Sequence, residues 1–103
     1  MMAHSTVAVL GCGSWGTALA LRLGRNGHRV ALWGHDPDEV RDLLRDRENR
    51  HFLPGFSLCD TVEPTADLGA AVESAEVCLV VVPSHAFASL VARLPIDHVR
   101  RIG

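Results

Sequence analysis

The sequence predicts an α/β fold, a parallel sheet flanked by helices, on three observations. Short apolar runs alternate with stretches of helical periodicity, each bounded by glycine, proline or a capping residue. A Gly-x-Gly-x-x-Gly turn, Gly11-Cys12-Gly13-Ser14-Trp15-Gly16, joins the first apolar run to the first periodic stretch. The run from Val77 to Val82 is the most uniformly apolar of the chain, the pattern of a strand covered on both faces in the middle of a parallel sheet.

The elements follow in order. Thr6 to Leu10 is a short β-branched run that stops at Gly11 and reads as a buried strand. From Ser14 to Asn26 the spacing becomes helical: Leu19 and Leu23 are four apart, Ala18 and Leu21 three apart, with Arg22, Arg25 and Asn26 on the other side. Gly27 stands where helices commonly end in a left-handed residue. Arg29 to Trp33 is the second strand. Asp36, Pro37 and Glu39 then supply a cap, a first-turn proline and a capping-box acid, and Val40, Leu43 and Leu44 the buried stripe of a second helix.

Glu48 to Cys59 has no clear period and contains Pro54 and Gly55, so an ordered loop or a broken connection is expected there, its length itself a hint of function. Thr61 to Thr65 reads as a strand that Pro64 confines to an edge, and Asp67 as the cap of a short helix through Ser74. Pro83 stops the apolar run from Val77, and Ser84 to Leu94 forms a last helix ended by Pro95. Right-handed crossovers between such strands build a parallel sheet of about four strands.

The chain has 103 residues and a mass of 11.1 kDa, which is one domain at most. At 48% hydrophobic and 21% charged it has the composition of a globular core, not of a disordered or fibrous chain. The net charge of -2 and scattered arginines argue against a nucleic-acid partner. Cys12, Cys59 and Cys78 form no Cys-x-x-Cys pair, so neither a disulfide framework nor a metal site is expected. No apolar run approaches the length of a membrane span, and a cytoplasmic location is expected. All 10 basic residues are arginine and there is no tyrosine, so the chain offers neither lysine nor tyrosine as proton donor.

The glycine turn carries the chemistry. After a strand and before a helix, Gly11 permits the tight turn, Gly13 lets backbone approach a pyrophosphate, and Gly16 lets helix pack on sheet, while the helix N-terminus attracts phosphate. This is the dinucleotide-binding fingerprint of a Rossmann-type fold. Asp36 lies 20 positions after Gly16, where an acid accepts hydrogen bonds from the adenosine ribose, but it is also the best helix cap nearby. His35 is either an adenine contact or an exposed turn residue, and Trp15 either a lid over the turn or a cofactor contact. No basic residue occupies positions 34 to 36 to pair with a 2′-phosphate, which favours NAD over NADP, while Arg41 keeps NADP in play. Cys12 reads as a small filler, and His51 and His85 are given no role. In the strand order 3-2-1-4-5-6 of this fold, the fourth strand would lie at an open edge, so further strands beyond Gly103, or another chain, are expected to cover it.

Gly-Cys-Gly-Ser-Trp-Gly-Thr-Ala-Leu-Ala (11 to 20), Glu-Asn-Arg-His-Phe-Leu-Pro-Gly (48 to 55) and Val-Val-Pro-Ser-His (81 to 85) together closely resemble the bacterial-type NAD(P)-dependent sn-glycerol-3-phosphate dehydrogenases. The resemblance covers nearly the whole chain, and the Leu53-Pro54-Gly55 loop is its most particular part. It implies hydride transfer that interconverts glycerol 3-phosphate and dihydroxyacetone phosphate for glycerophospholipid synthesis. It also implies cofactor contacts at Ser14, Trp15 and His35. At position 36 many bacterial relatives carry Arg, which suits NADPH, and Asp36 departs from that pattern.

The resemblance further implies that residues 1–103 are the N-terminal portion of a dinucleotide-binding domain. The family's catalytic lysines, and the Arg and Asn that bind substrate phosphate, match nothing here. No catalytic residue is therefore assigned, and the chain alone is expected to be inactive. A small phosphorylated substrate and a homodimer are expected of the full-length enzyme. The competing readings are another hydroxy-acid or phosphosugar dehydrogenase of the same superfamily and a non-catalytic nucleotide-binding module.

Overall fold

The computed structural model describes residues 5–94. Its elements run β1 (Thr6–Leu10), α1 (Ser14–Arg25), β2 (Arg29–Trp33), α2 (Pro37–Asp46), β3 (Glu48–Asn49), β4 (Leu53–Ser57), β5 (Val62–Thr65), α3 (Leu68–Glu73), β6 (Val77–Val80) and α4 (Ser84–Val91). Pro95, expected to end the last helix, lies outside the described residues.

Four strands form a parallel sheet in the order β5-β2-β1-β6. This is the expected 3-2-1-4 order of a Rossmann-type sheet. Successive residues of a strand point to opposite faces, and β1 divides its side chains accordingly. Val7 and Val9 join Val30, Leu32 and Val62 beneath Ala20 and Leu21 of α1 and Leu43 of α2. Ala8 and Leu10 join Trp33 and Cys78 beneath Leu68, Ala71 and Val72 of α3 and Leu90 of α4. With helices on both faces, β1 is apolar and buried from Val7 to Leu10, as its sequence run predicts.

Three expectations need correction. The apolar run from Val77 takes the edge position that the strand order anticipates instead of a place covered on both faces in the middle of the sheet; its strand ends at Val80, and Cys78 alone of β6 is fully buried. Helix α1 buries Gly16, Thr17, Ala20, Leu21 and Gly24, whereas Ala18, Leu19 and Leu23 lie at the flanks. Small residues face the sheet because the helix packs close: a Cβ on Gly24 would come within 2.7 Å of Val62 Cγ2. In α2, Val40 and Leu43 are buried but Leu44 is exposed.

The segment expected to be a loop contains an antiparallel hairpin, β3 paired with β4, with Glu48 opposite Ser57 and Asn49 opposite Leu53. It begins where α2 stops at Arg47, which adopts a left-handed conformation (φ 51°). The Arg47 guanidinium donates to the carbonyls of Cys59 (2.9 Å) and Val62 (2.8 Å), pinning the far end of the hairpin to the start of β5. Among the described residues no helix is long and apolar enough to cross a membrane.

Candidate functional site

The C-terminal ends of β1, β2 and β6 meet at the glycine turn. Gly11 N–H donates to the Trp33 carbonyl (2.9 Å) and Val81 N–H to the Leu10 carbonyl (2.9 Å), so the chain leaves all three strands at one level. Gly11 has φ +131°, a region other residues rarely enter. A Cβ there would run into the Val81 carbonyl oxygen and reach within 3.2 Å of Val82 Cγ1. Gly16 is equally confined, since a Cβ on it would meet the Gly11 carbonyl oxygen.

Gly13 differs from both. It is the N-cap of α1, with extended backbone, and nothing lies within 4 Å of where its Cβ would be. No side chain caps the helix and its first turn carries no acid. The first N–H groups of a helix have no intrahelical partners, and the helix dipole adds a partial positive charge there. The turn is thus tight where it meets protein and open where a phosphate would sit, so these residues fit the pyrophosphate of a dinucleotide.

Ser14 is exposed, and its hydroxyl donates to the Phe52 carbonyl (2.8 Å), bringing the hairpin to the helix start. Trp15 is 77% exposed, so it is not packed as a lid over the turn. His35 is exposed at the end of β2 and shares a cavity of about 310 Å³ with Trp33, Val82, Pro83, Leu90 and Arg93. Val82 belongs both to this cavity and to the wall against Gly11, which joins the two regions. His85 lines the same cavity. Asp36 caps α2 as expected, one carboxylate oxygen accepting from Asp38 N–H (2.9 Å). Among the described residues that is the hydrogen bond seen to its side chain, which is half-buried.

Cys12 is packed inside the turn, its thiol 3.9 Å from Glu39 Oε1. Burial above all, and then the Glu39 charge, push it up to about 11, so at neutral pH it is a thiol and not a nucleophile. It also dictates Gly34, whose Cβ would lie 2.6 Å from Cys12 Sγ.

Asn49 and Thr17, which no sequence pattern singles out, hydrogen-bond to the backbone of the turn. Asn49, only 5% exposed, donates from Nδ2 to the Cys12 carbonyl (2.8 Å) and to Thr17 Oγ1 (2.8 Å), while its Oδ1 accepts from Phe52 N–H (3.1 Å). Thr17, fully buried, donates to the same Cys12 carbonyl (3.2 Å). Two weaker signals were available: a lone hydroxyl on the buried face of α1, and an asparagine inside the motif from 48 to 55. Their partners lie 32 and 37 positions away from Asn49, beyond the reach of local pattern. Among the described residues no cluster of His, Cys, Asp and Glu could hold a metal ion.

Residues 6–98 match the family described as NAD-dependent glycerol-3-phosphate dehydrogenase N-terminus. A glycerol-3-phosphate dehydrogenase [NAD(P)+] from Shewanella sediminis is 49% identical over 87 residues, covering 84% of this chain and 26% of the relative. One from Yersinia pestis is 47% identical over 97 residues, or 94% of this chain and 28% of the relative. The crystal structure of glycerol-3-phosphate dehydrogenase from Coxiella burnetii superposes with a TM-score of 0.84 at 40% identity, over 87% of this chain and 28% of that one. The Saccharomyces cerevisiae enzyme has the same fold, with a TM-score of 0.82 at 22% identity, over 96% of this chain and 33% of that one. The chain therefore spans little more than a quarter of the length of the curated relatives it matches. By the match over residues 6–98, the chain belongs to the NAD-dependent glycerol-3-phosphate dehydrogenase family, in its N-terminal part.

Proposed function

We propose that this chain is the NAD(P)-binding part of an oxidoreductase that interconverts sn-glycerol 3-phosphate and dihydroxyacetone phosphate. The observation that carries the reading is Gly13: an uncapped helix start facing open space, between two glycines with no room for a side chain. Gly11 and Gly16 let the turn pack closely against protein, and the first N–H groups of α1 receive the pyrophosphate. Ser14 and Trp15 flank it from the exposed side of the first turn. His35, at the cavity bounded by Val82 and Pro83, receives the adenine, and the second Asp36 oxygen receives the ribose hydroxyls. When bound, the dinucleotide supplies or accepts the hydride.

The charge at the start of α2 supports NAD ahead of NADP. Asp36, Asp38 and Glu39 cluster there, and Arg41, the cation nearest in sequence, pairs with Asp38 at 3.1 Å. For a protein of the relatives' length the reading adds a small phosphorylated substrate, a homodimer and a cytoplasmic location. The alkoxide formed on carbonyl reduction needs a proton donor, and this chain has neither lysine nor tyrosine to serve as one.

Titration with NADH and NADPH, followed through the fluorescence of exposed Trp15, tests the proposal. Saturable quenching is expected, stronger with NADH, without oxidation of NADH when dihydroxyacetone phosphate is added. Absence of any change with either cofactor at millimolar concentration overturns the binding reading. Measurable turnover by the 103-residue chain overturns the assignment of the donor elsewhere.

A further inference from the structure

We propose that Asn49 is a positioning residue of the glycine turn, locking the Cys12–Gly13 peptide so that the Gly13 N–H faces the cofactor pyrophosphate. The role in binding rests on the dinucleotide reading above.

Gly13 is the one glycine of the turn that its surroundings leave unconfined. Glycine moves between backbone conformations at little cost, and as the N-cap of α1 it brings no side chain to anchor the turn. A peptide unit is planar and trans, so its C=O and N–H point in opposite directions. Fixing the Cys12 carbonyl inward therefore fixes the Gly13 N–H outward, away from Asn49 and Thr17. A flipped peptide would present the carbonyl oxygen to the phosphate and repel it.

The inward hold is made by two donors, Asn49 Nδ2 at 2.8 Å and Thr17 Oγ1 at 3.2 Å. Asn49 also donates to Thr17 Oγ1, which leaves that hydroxyl's own hydrogen for the Cys12 carbonyl. The three groups form a closed ring in which every hydrogen has one destination. Burial strengthens these bonds and makes a flip costly, because both donors would lose their acceptor away from water.

Asn49 also orders the exposed side of the site. Its Oδ1 holds the Phe52 N–H, and the Phe52 carbonyl receives the Ser14 hydroxyl. A single side chain from the hairpin thus governs the peptide before Gly13 and, through Phe52, the residue after it. The β3–β4 hairpin is then part of the cofactor site.

The test compares the parent chain with Asn49→Ala and Thr17→Val, with Thr17→Ser as the variant that keeps the hydroxyl. In the free chain, the backbone amide resonances of Gly13 and Ser14 are expected to be sharp in the parent and in Thr17→Ser. Both other variants should broaden them through peptide exchange, while Val30 and Ala71 stay unchanged. With ligands, Asn49→Ala is expected to weaken ADP by about tenfold or more, the scale of one buried hydrogen bond, and to leave adenosine unaffected. Unchanged Gly13 resonances in both variants, or broadening spread equally to Val30 and Ala71, overturn the proposal. So does equal weakening of ADP and adenosine. A parent chain that binds no ADP defeats the cofactor reading instead, and the free-chain resonances still decide whether Asn49 locks the turn.

Discussion

Gly16 lies against the carbonyl oxygen of Gly11, so closely that any Cβ at position 16 would overlap it. The same helix start leaves Gly13 with nothing within 4 Å of its Cβ direction. Two glycines of one motif therefore predict opposite behaviour. Gly16→Val forces α1 off the sheet and is expected to cost about 3 kcal/mol, read as a lowered urea midpoint, with loss of cofactor quenching. Gly13→Ala keeps a backbone that alanine adopts freely, and its stability should remain within about 0.5 kcal/mol of the parent. The methyl group would instead occupy phosphate space, so NADH binding should weaken by at least about tenfold. A Gly13→Ala chain that binds as the parent does would mean that the turn is a connector only.

Arg47 leaves α2 in a left-handed conformation and spends its guanidinium on the Cys59 and Val62 carbonyls. Its ion pair with Glu63, at 3.8 Å and exposed on the Glu63 side, adds little. Arg47→Ala is expected to cost about 2 kcal/mol through the two carbonyl bonds, whereas Glu63→Gln should change stability by less than about 0.5 kcal/mol. Chemical denaturation of the two variants checks the difference.

The parallel sheet was legible because each of its strands carries its own signal: β1 and β2 match their predicted bounds, and Pro64 correctly demotes β5 to an edge. Caps were equally local, and Asp36 and Asp67 each accept from an N–H within three residues. The hairpin was not legible, since β3 is two residues long and β4 contains Pro54 and Gly55. It is held by Arg47 and Asn49, whose partners are distant in sequence. The contrast repeats at the site. The glycines announce themselves by spacing, but the buried amide that orients them depends on a contact that only the fold brings about.

The burial of Cys12 has consequences for pH and for thiol chemistry. Its thiol is raised from 9.0 to about 11, chiefly by burial, so folding favours the protonated form. That contribution to stability is fully present below pH 9 and is lost as the pH rises toward 11. Burial raises Cys78 in the same direction. The urea midpoint should therefore fall through this alkaline range, and less steeply in Cys12→Ala. Iodoacetamide at pH 8, followed by peptide mass analysis, is expected to label half-exposed Cys59 well before Cys12 or Cys78. Rapid labelling of Cys12 in the native chain would contradict the packed turn.

Asp36 combines two roles that a substitution can separate. As the cap of α2 it needs one oxygen for Asp38 N–H, a task asparagine performs as well. As a ribose ligand it needs its second oxygen, and its charge disfavours a 2′-phosphate. Asp36→Asn should keep stability within a few tenths of a kcal/mol, whereas Asp36→Ala should lose about 1 kcal/mol with the cap. In titrations with both cofactors, Asp36→Asn is expected to weaken NADH and improve NADPH, shifting their ratio by about tenfold. Asp36→Arg should shift it further, because a guanidinium can pair with the 2′-phosphate. If the ratio stays constant across all three variants while the stability of Asp36→Ala falls, Asp36 is a helix cap alone. Cofactor choice then rests on other residues.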